Sequence, residues 1–314
     1  MVKKPYTFKL SSRRQVLDMA KHKRRVLLAN CFYRSLIRNA VVFELGRETT
    51  LEWTPHGEFV DLVLNGVLLG NYYLCEQIKV DKNRVNITEM SSSDVDSESV
   101  TGGYLLEYDV NYDEVNKFKT ALKNYPVNIK EPDEDILVDE QATYIENYIN
   151  EMEALLAGET PDALMGKAWR DYLDDTTFAD FWLVNTIAGS NELDFPKSCY
   201  FNKERGGRLK AGPFWDFDYE TFRPNYTLVR KDVLYYPDLF KDSEFTALVK
   251  ARWAELQPKF LALTSFIGKQ MELLSESGAI NDELWPEISV NPNSERNSRR
   301  TRRKRGSRKR FWSG

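Results

Sequence analysis

The sequence predicts an α+β protein with a β-rich part over residues 1–130, a mainly helical part over residues 131–290 and a basic, disordered tail over residues 291–314. Three observations lead there. Early segments alternate apolar and polar residues with the period of a half-buried strand, and Asn65-Gly66 joins two of them as a type I′ hairpin turn. From Tyr144 onward apolar residues recur at helical spacing. Between the parts, the Pro-containing stretch Tyr125 to Asp133 reads as a crossing.

In chain order, residues 3 to 10 form a strand with Tyr6, Phe8 and Leu10 on one face. Val26 to Leu28 is an apolar run, and Ser35 to Leu45 reads as a helix with Leu36, Ala40, Val41 and Phe43 toward the core and Arg38 beside that face. The hairpin strands are Glu58 to Leu64 and Val67 to Cys75, the second running on to Lys79. Residues 91 to 101, rich in Ser and Asp, read as a flexible loop, after which Gly103 to Tyr108 resumes as a strand. Tyr144 to Ala157 is an amphipathic helix that Gly158 stops. Asp174 or Asp175 caps the next helix, which runs through Phe178, Phe181, Trp182 and Val184 to Ala188 and ends at Gly189. Ser198 to Lys203 and Arg208 to Ala211 flank the turn Glu204-Arg205-Gly206-Gly207 as a second hairpin. Tyr235 to Phe240 and two helices, Glu244 to Glu255 and Lys259 to Leu274, support the second part, with Trp253, Leu256, Phe260 and Leu263 as core residues.

Composition narrows the function classes. No run approaches the roughly 18 apolar residues of a membrane span. Cys31, Cys75 and Cys199 have neither metal-site spacing nor the density of a disulfide scaffold and read as small buried residues. With only His22 and His56, a multi-histidine metal centre is excluded, and neither has the context of a Ser-His-Asp triad. Residues 295 to 314 carry a balance of +9, so the remainder holds −13 of the net −4. The acidic body argues against nucleic-acid binding outside the tail. The tail, with Arg299 to Arg305, has the composition of a nucleic-acid or targeting run.

The segment Asn191 to Asp218 carries the most chemistry. Glu192 and Asp194 precede the second hairpin, and Asp216 and Asp218 follow it among Phe214, Trp215, Phe217 and Tyr219. A hairpin brings its ends together, so acids distant in sequence converge. Carboxylates among aromatic rings are costly to ionise unless a cation or donor compensates them. Such hard oxygen ligands suit Mg²⁺, which takes one or two carboxylates and completes its shell with substrate phosphates. The plainer reading of an Asp-x-Asp pair is a turn cap at a strand end. The ordered set of acid, hairpin and acid is more specific, and it repeats the layout of a protein-kinase active site without its His-Arg-Asp or Asp-Phe-Gly motifs. A glycosidase using two carboxylates flanked by rings is a third reading.

Through Phe178 to Asn185, Pro196 to Tyr200 and Leu209 to Asp218 the sequence resembles the CotH kinase family, atypical kinase-like proteins named for a bacterial spore-coat protein. Upstream the likeness extends through Arg38-Asn39, Leu51 to Pro55, Asn65-Gly66, Cys75 to Lys79, Asn83 to Asn86 and Gly102 to Glu107, covering residues 3 to 290. The resemblance implies a two-lobed, protein-kinase-like architecture that uses ATP and Mg²⁺ to phosphorylate a protein, or a non-catalytic relative that keeps the fold. Under it, Asp216 and Asp218 bind the metal, and Asp194 or Glu192 is the catalytic acid, with Asp194 preferred. Lys197 steadies the transferred phosphoryl group, and Lys4, Arg38, Glu76 and Lys79 are the nucleotide-binding candidates. It also implies a protein exported or at the cell surface. Two departures stand out. Tyr33 occupies a position where the family commonly has Asp, and only Met1-Val2 precede the first strand where the family has an Arg-Gly-Asn-Ser-type segment. The chain is therefore expected to start inside the usual domain, and its basic end to be a misread or frameshifted one.

Overall fold

The computed structural model describes residues 3–159, 161–219, 221–223 and 231–288; the basic tail lies outside them. The fold is α+β, with two antiparallel sheets and, among the described residues, six α-helices. Strands β1 (Tyr6–Val16), β2 (Met19–Leu28), β3 (Gly57–Leu64) and β4 (Val67–Glu76) form the first sheet in the order β1-β2-β4-β3. Tyr6, Phe8 and Leu10 alternate inward as expected, but β1 runs on to Val16 through residues with no apolar alternation. Pairing with β2, from Tyr6↔Leu27 to Val16↔Met19, supplies the ladder that the side-chain pattern does not. The β3–β4 hairpin turns at Asn65 and Gly66 with φ of 52° and 79°, both left-handed as a type I′ turn requires.

Helix α1 (Arg38–Arg47) starts later than Ser35 because Leu36 adopts φ 59°, which an α-helix excludes. Leu36, Ala40, Val41 and Phe43 are buried as expected. The second sheet joins β5 (Tyr104–Tyr108), β6 (Lys117–Lys119), β7 (Pro126–Glu131), β8 (Cys199–Lys203) and β9 (Leu209–Ala211) in the order β6-β7-β5-β8-β9. The stretch read as a crossing is thus largely strand β7, its prolines at and just beyond the ends where no ladder donor is lost. Residues 91 to 101 are tied down rather than free. Asp94 accepts the Ser91 N–H at 2.6 Å, Asp96 accepts the Ser99 N–H at 3.0 Å, and Gln141 donates to the Ser91 carbonyl at 2.7 Å.

Helix α2 (Asp139–Ala157) buries Ile145, Ile149, Met152, Leu155 and Leu156 and ends at Gly158, φ 83°. Helix α3 (Asp175–Ala188) is buried on nearly every side, between β9, α1 and α5. Beyond α4 (Tyr236–Leu239), the two helices expected on either side of Pro258 are one helix, α5 (Ser243–Leu273). Pro258 removes one N–H on the solvent face, while Leu256 and Leu263 stay buried on the other. Trp253, expected in the core, is 38% exposed. Helix α6 (Ser275–Leu284) folds back onto β4, and one hydrophobic core runs from Val26 and Tyr73 through Phe43, Leu106 and Phe201 to Phe178 and Leu256.

Candidate functional site

The Asp174 carboxylate caps α3 by accepting the Thr177 N–H at 3.1 Å, and Gly189, at φ 63°, ends it in the left-handed conformation. The chain then turns through the acid loop, closed by the Lys197 N–H on the Glu192 carbonyl at 3.1 Å. From the other side comes the loop after β9, anchored by its rings. Phe214 stacks on Phe181 of α3 at 5.1 Å, and Phe217 sits edge-on to Phe214 at 5.9 Å. Only a glycine at 46 lets α1 approach so closely, since a Cβ there would lie 2.7 Å from Phe214. Phe214 and Phe217 are buried as anchors, and Asp216 and Asp218 on either side of Phe217 act on Glu192 of the acid loop.

The backbone around the acids is set from several elements. Asn39 on α1 accepts the Phe217 N–H through Oδ1 at 2.7 Å and donates to Asn30 at 3.0 Å. Asp218 accepts the backbone N–H of Cys31. Asp109, just past β5, accepts the Asn111 N–H at 2.7 Å and the Ser198 N–H at 3.2 Å, which fixes the acid loop to the second sheet. Asn30, Ser198 and Asp216, none of them glycine, all have positive φ, at 46°, 52° and 63°. Such conformations cost about 1–2 kcal/mol each and cluster where function demands a particular backbone.

Burial and mutual repulsion dominate the electrostatics. Glu192 is pushed up to about 9 by burial first and then by the charges of Asp216, Asp218 and Asp109, against the opposing charge of Lys197. Asp216 is raised by burial, which Lys197 and a hydrogen bond with Asp218 oppose. Asp218 is raised to about 7 by burial and by Asp216. The structure therefore brings Glu192, Lys197, Asp216 and Asp218 together, as the sequence suggested. The third carboxylate that acts on Glu192 is Asp109, which sequence reasoning missed. Its signal was its place just after the strand Gly103 to Tyr108, in the position that the other acids take after their own elements. Asp194 is half-buried in the turn, its N–H on the Asn191 carbonyl at 3.1 Å.

The nucleotide candidates fare differently. Arg38 lies at the start of α1 with its guanidinium 3.0 Å from the centre of the Tyr33 ring, within electrostatic reach of Asp218. Its Nε and Nη1 are buried and meet no acceptor among the described residues. Lys4 is exposed at the foot of β1. Its neighbour Lys3 is the buried one, 1% exposed, and feels the charge of Asp218. Glu76 is committed elsewhere, accepting from the Trp53 indole at 3.3 Å and the His56 N–H at 3.2 Å near Arg25 and Arg84. Lys79 pairs with Glu131 at 2.9 Å rather than with Glu76.

Among the described residues no group of three or more His, Cys, Asp or Glu side chains is arranged to hold a metal ion by itself. The donors that do converge, Asp216 raised by burial and Asp218 by burial and by Asp216, fit a hard cation whose remaining ligands come from phosphate and water. The two orphaned donors of Arg38 fit phosphate oxygens. Cys31, Cys75 and Cys199 are free thiols, the last two buried as expected. No helix among the described residues is long and apolar enough to cross a membrane. A family model described as CotH kinase protein matches residues 1–303. No curated protein matches the chain.

Proposed function

The chain belongs to the CotH kinase family, and on that premise we propose that it transfers the γ-phosphoryl group of Mg·ATP to a hydroxyl on a protein. One observation carries the reading: Glu192, Asp216 and Asp218 share one site, Asp218 buried and the other two half-buried, with Lys197 as the opposing charge. In this reading the first sheet and the helix-backed second sheet act as two lobes, with the acids at their seam. A divalent cation held by Asp216 and Asp218 supplies positive charge to the phosphate oxygens. Arg38 binds a phosphate with its two unsatisfied donors. Glu192, placed against Asp216, takes the part for which the sequence preferred Asp194. It orients the acceptor hydroxyl and, in the ionised form that the charges of Lys197 and a bound cation would favour, takes its proton as the new O–P bond forms, and the bond to the β-phosphate breaks to release ADP. Lys197 meets the charge on the transferred group. Positioning and charge neutralisation dominate such chemistry, so few residues suffice. On the same reading the protein acts outside the cell or at its surface, a proposal that rests on the family alone.

Asp216→Asn tests the metal role without disturbing the backbone, because Asn tolerates the φ of 63° found there. It should lower Mg·ATP-dependent labelling of protein by roughly 100-fold or more, with the circular dichroism spectrum unchanged. Undiminished labelling would remove the assignment. Glu192→Gln should cost more activity than Asp194→Asn; the reverse order would return the catalytic role to Asp194. A second reading, a non-catalytic binding domain, is favoured by Tyr33, whose ring covers the Arg38 guanidinium where the family commonly has an acid. Titration calorimetry with Mg·ATP separates the two, since the binding domain should release no heat.

A further inference from the structure

A groove of about 390 Å³ opens between α3 and α5, walled by Trp182, Leu183, Ile187, Phe240, Val249 and Trp253. Its volume falls in the roughly 300–1,000 Å³ range of ligand sites. Trp253 is 38% exposed at its edge, a large ring that the fold does not cover. Among the described residues, the only ionisable side chains lining the groove are Lys231 and Lys250, both exposed, one from the segment before α4 and the other from α5. The Lys231 ammonium is set 4.4 Å over the Phe240 ring. This positive rim belongs to a body whose balance outside residues 295 to 314 is −13. The groove is also tied to the acid site through α3. Ile187 lies in the last turn of α3, and Glu192 follows five residues later, a span of at most about 18 Å of chain.

We propose that this groove docks an acidic segment of the acceptor protein whose bulky apolar side chains fill it. The apolar walls take the side chains, in the manner of an amphipathic helix in a groove. The two lysines stand on different elements, so they match carboxylates spread along a segment better than the single head group of a fatty acid. The protein's own basic tail has the wrong charge. Docking next to the acid loop raises the local concentration of a hydroxyl near Glu192. The acceptor role rests on the phosphoryl-transfer reading; the binding does not.

The test uses the full chain without nucleotide and a short fluorescein-labelled peptide with Leu and Phe at every third or fourth position and Asp or Glu elsewhere. Anisotropy should show saturable binding, weakened about tenfold or more by the exposed double change Lys231→Glu, Lys250→Glu and by Trp253→Ser. A peptide with Lys and Arg in place of the acids should not bind. Equal binding of both peptides, no binding of the acidic one, unchanged affinity in the variants, or full displacement by equimolar dodecanoate would each overturn the proposal. Mg·ATP binding is read separately, so loss of the kinase reading leaves the groove measurement standing, and the converse holds.

Discussion

Glu192 shows what crowding does to one side chain. Its carboxyl is held at about 9 instead of the ordinary 4.5, by burial and by the neighbouring carboxylates. Below the ordinary value the group is neutral in both folded and unfolded chains, so its protonated form leaves stability intact. As the pH rises from about 4.5 through 9 the unfolded chain ionises first, and that stability is lost progressively. Asp218, raised to about 7, adds a loss of the same sign over a lower window. Glu192→Gln should therefore melt higher than the wild type at pH 8, by about 2–4 °C for each kcal/mol relieved. Its melting temperature should also fall less between pH 5 and pH 9. Parallel slopes for the two proteins in thermal melts would contradict the assignment. The presence of acids at 192, 216 and 218 was legible from the sequence. Asp109 was not recognised, because its part depends on β5 lying beside β8, a pairing that spans almost a hundred residues of chain.

At the scale of elements, the joint between α3 and α5 rests on one buried carboxylate. Asp180 is fully buried; it accepts from Arg252 at 2.7 and 2.9 Å and from the Thr50 backbone N–H at 2.8 Å. A desolvated charge of this kind is tolerated only while every partner is present. Asp180→Asn should cost about 3 kcal/mol in urea unfolding, since it leaves the Arg252 charge with only the exposed Glu255 as its acidic partner, and a cost near zero would show that the pair is dispensable. The helices themselves were readable: α3 from its Asp cap, aromatic stripe and Gly189, and α2 from its apolar spacing and Gly158. The break expected at Pro258 was not found, because burial of Leu256 and Leu263 on one face offsets a single lost hydrogen bond on the other.

Across the whole molecule, the two ends of the described chain meet. The Lys3 ammonium, fully buried, donates to the Ala29 carbonyl at 2.9 Å, to the Asn71 carbonyl and to Oδ1 of Asn281 on α6 at 2.9 Å. The same Asn281 oxygen takes the Asn71 N–H at 3.2 Å, and Trp285 donates to the Leu69 carbonyl at 2.9 Å. Burial holds the Lys3 amine down at about 8, against the opposing charges of Cys31, Asp61 and Asp218. Asn281→Ala should lower stability by about 1–3 kcal/mol in chemical denaturation, whereas Asn281→Asp, which restores an acceptor, should recover most of the loss at pH 7. Equal losses in both would assign the effect to packing of α6 alone. What the sequence determined by itself was local: strands, helices, the Asn65-Gly66 and Gly206 turns, and the acids that flank the second hairpin, each set by neighbours a few residues away. Only the tertiary structure decided the rest: the strand order of the second sheet, the return of α6 onto β4, and the meeting of Asp109, Glu192, Asp216 and Asp218. Those contacts join residues far apart in the chain, and their free energy comes from burial and from shared charge, which no local pattern encodes.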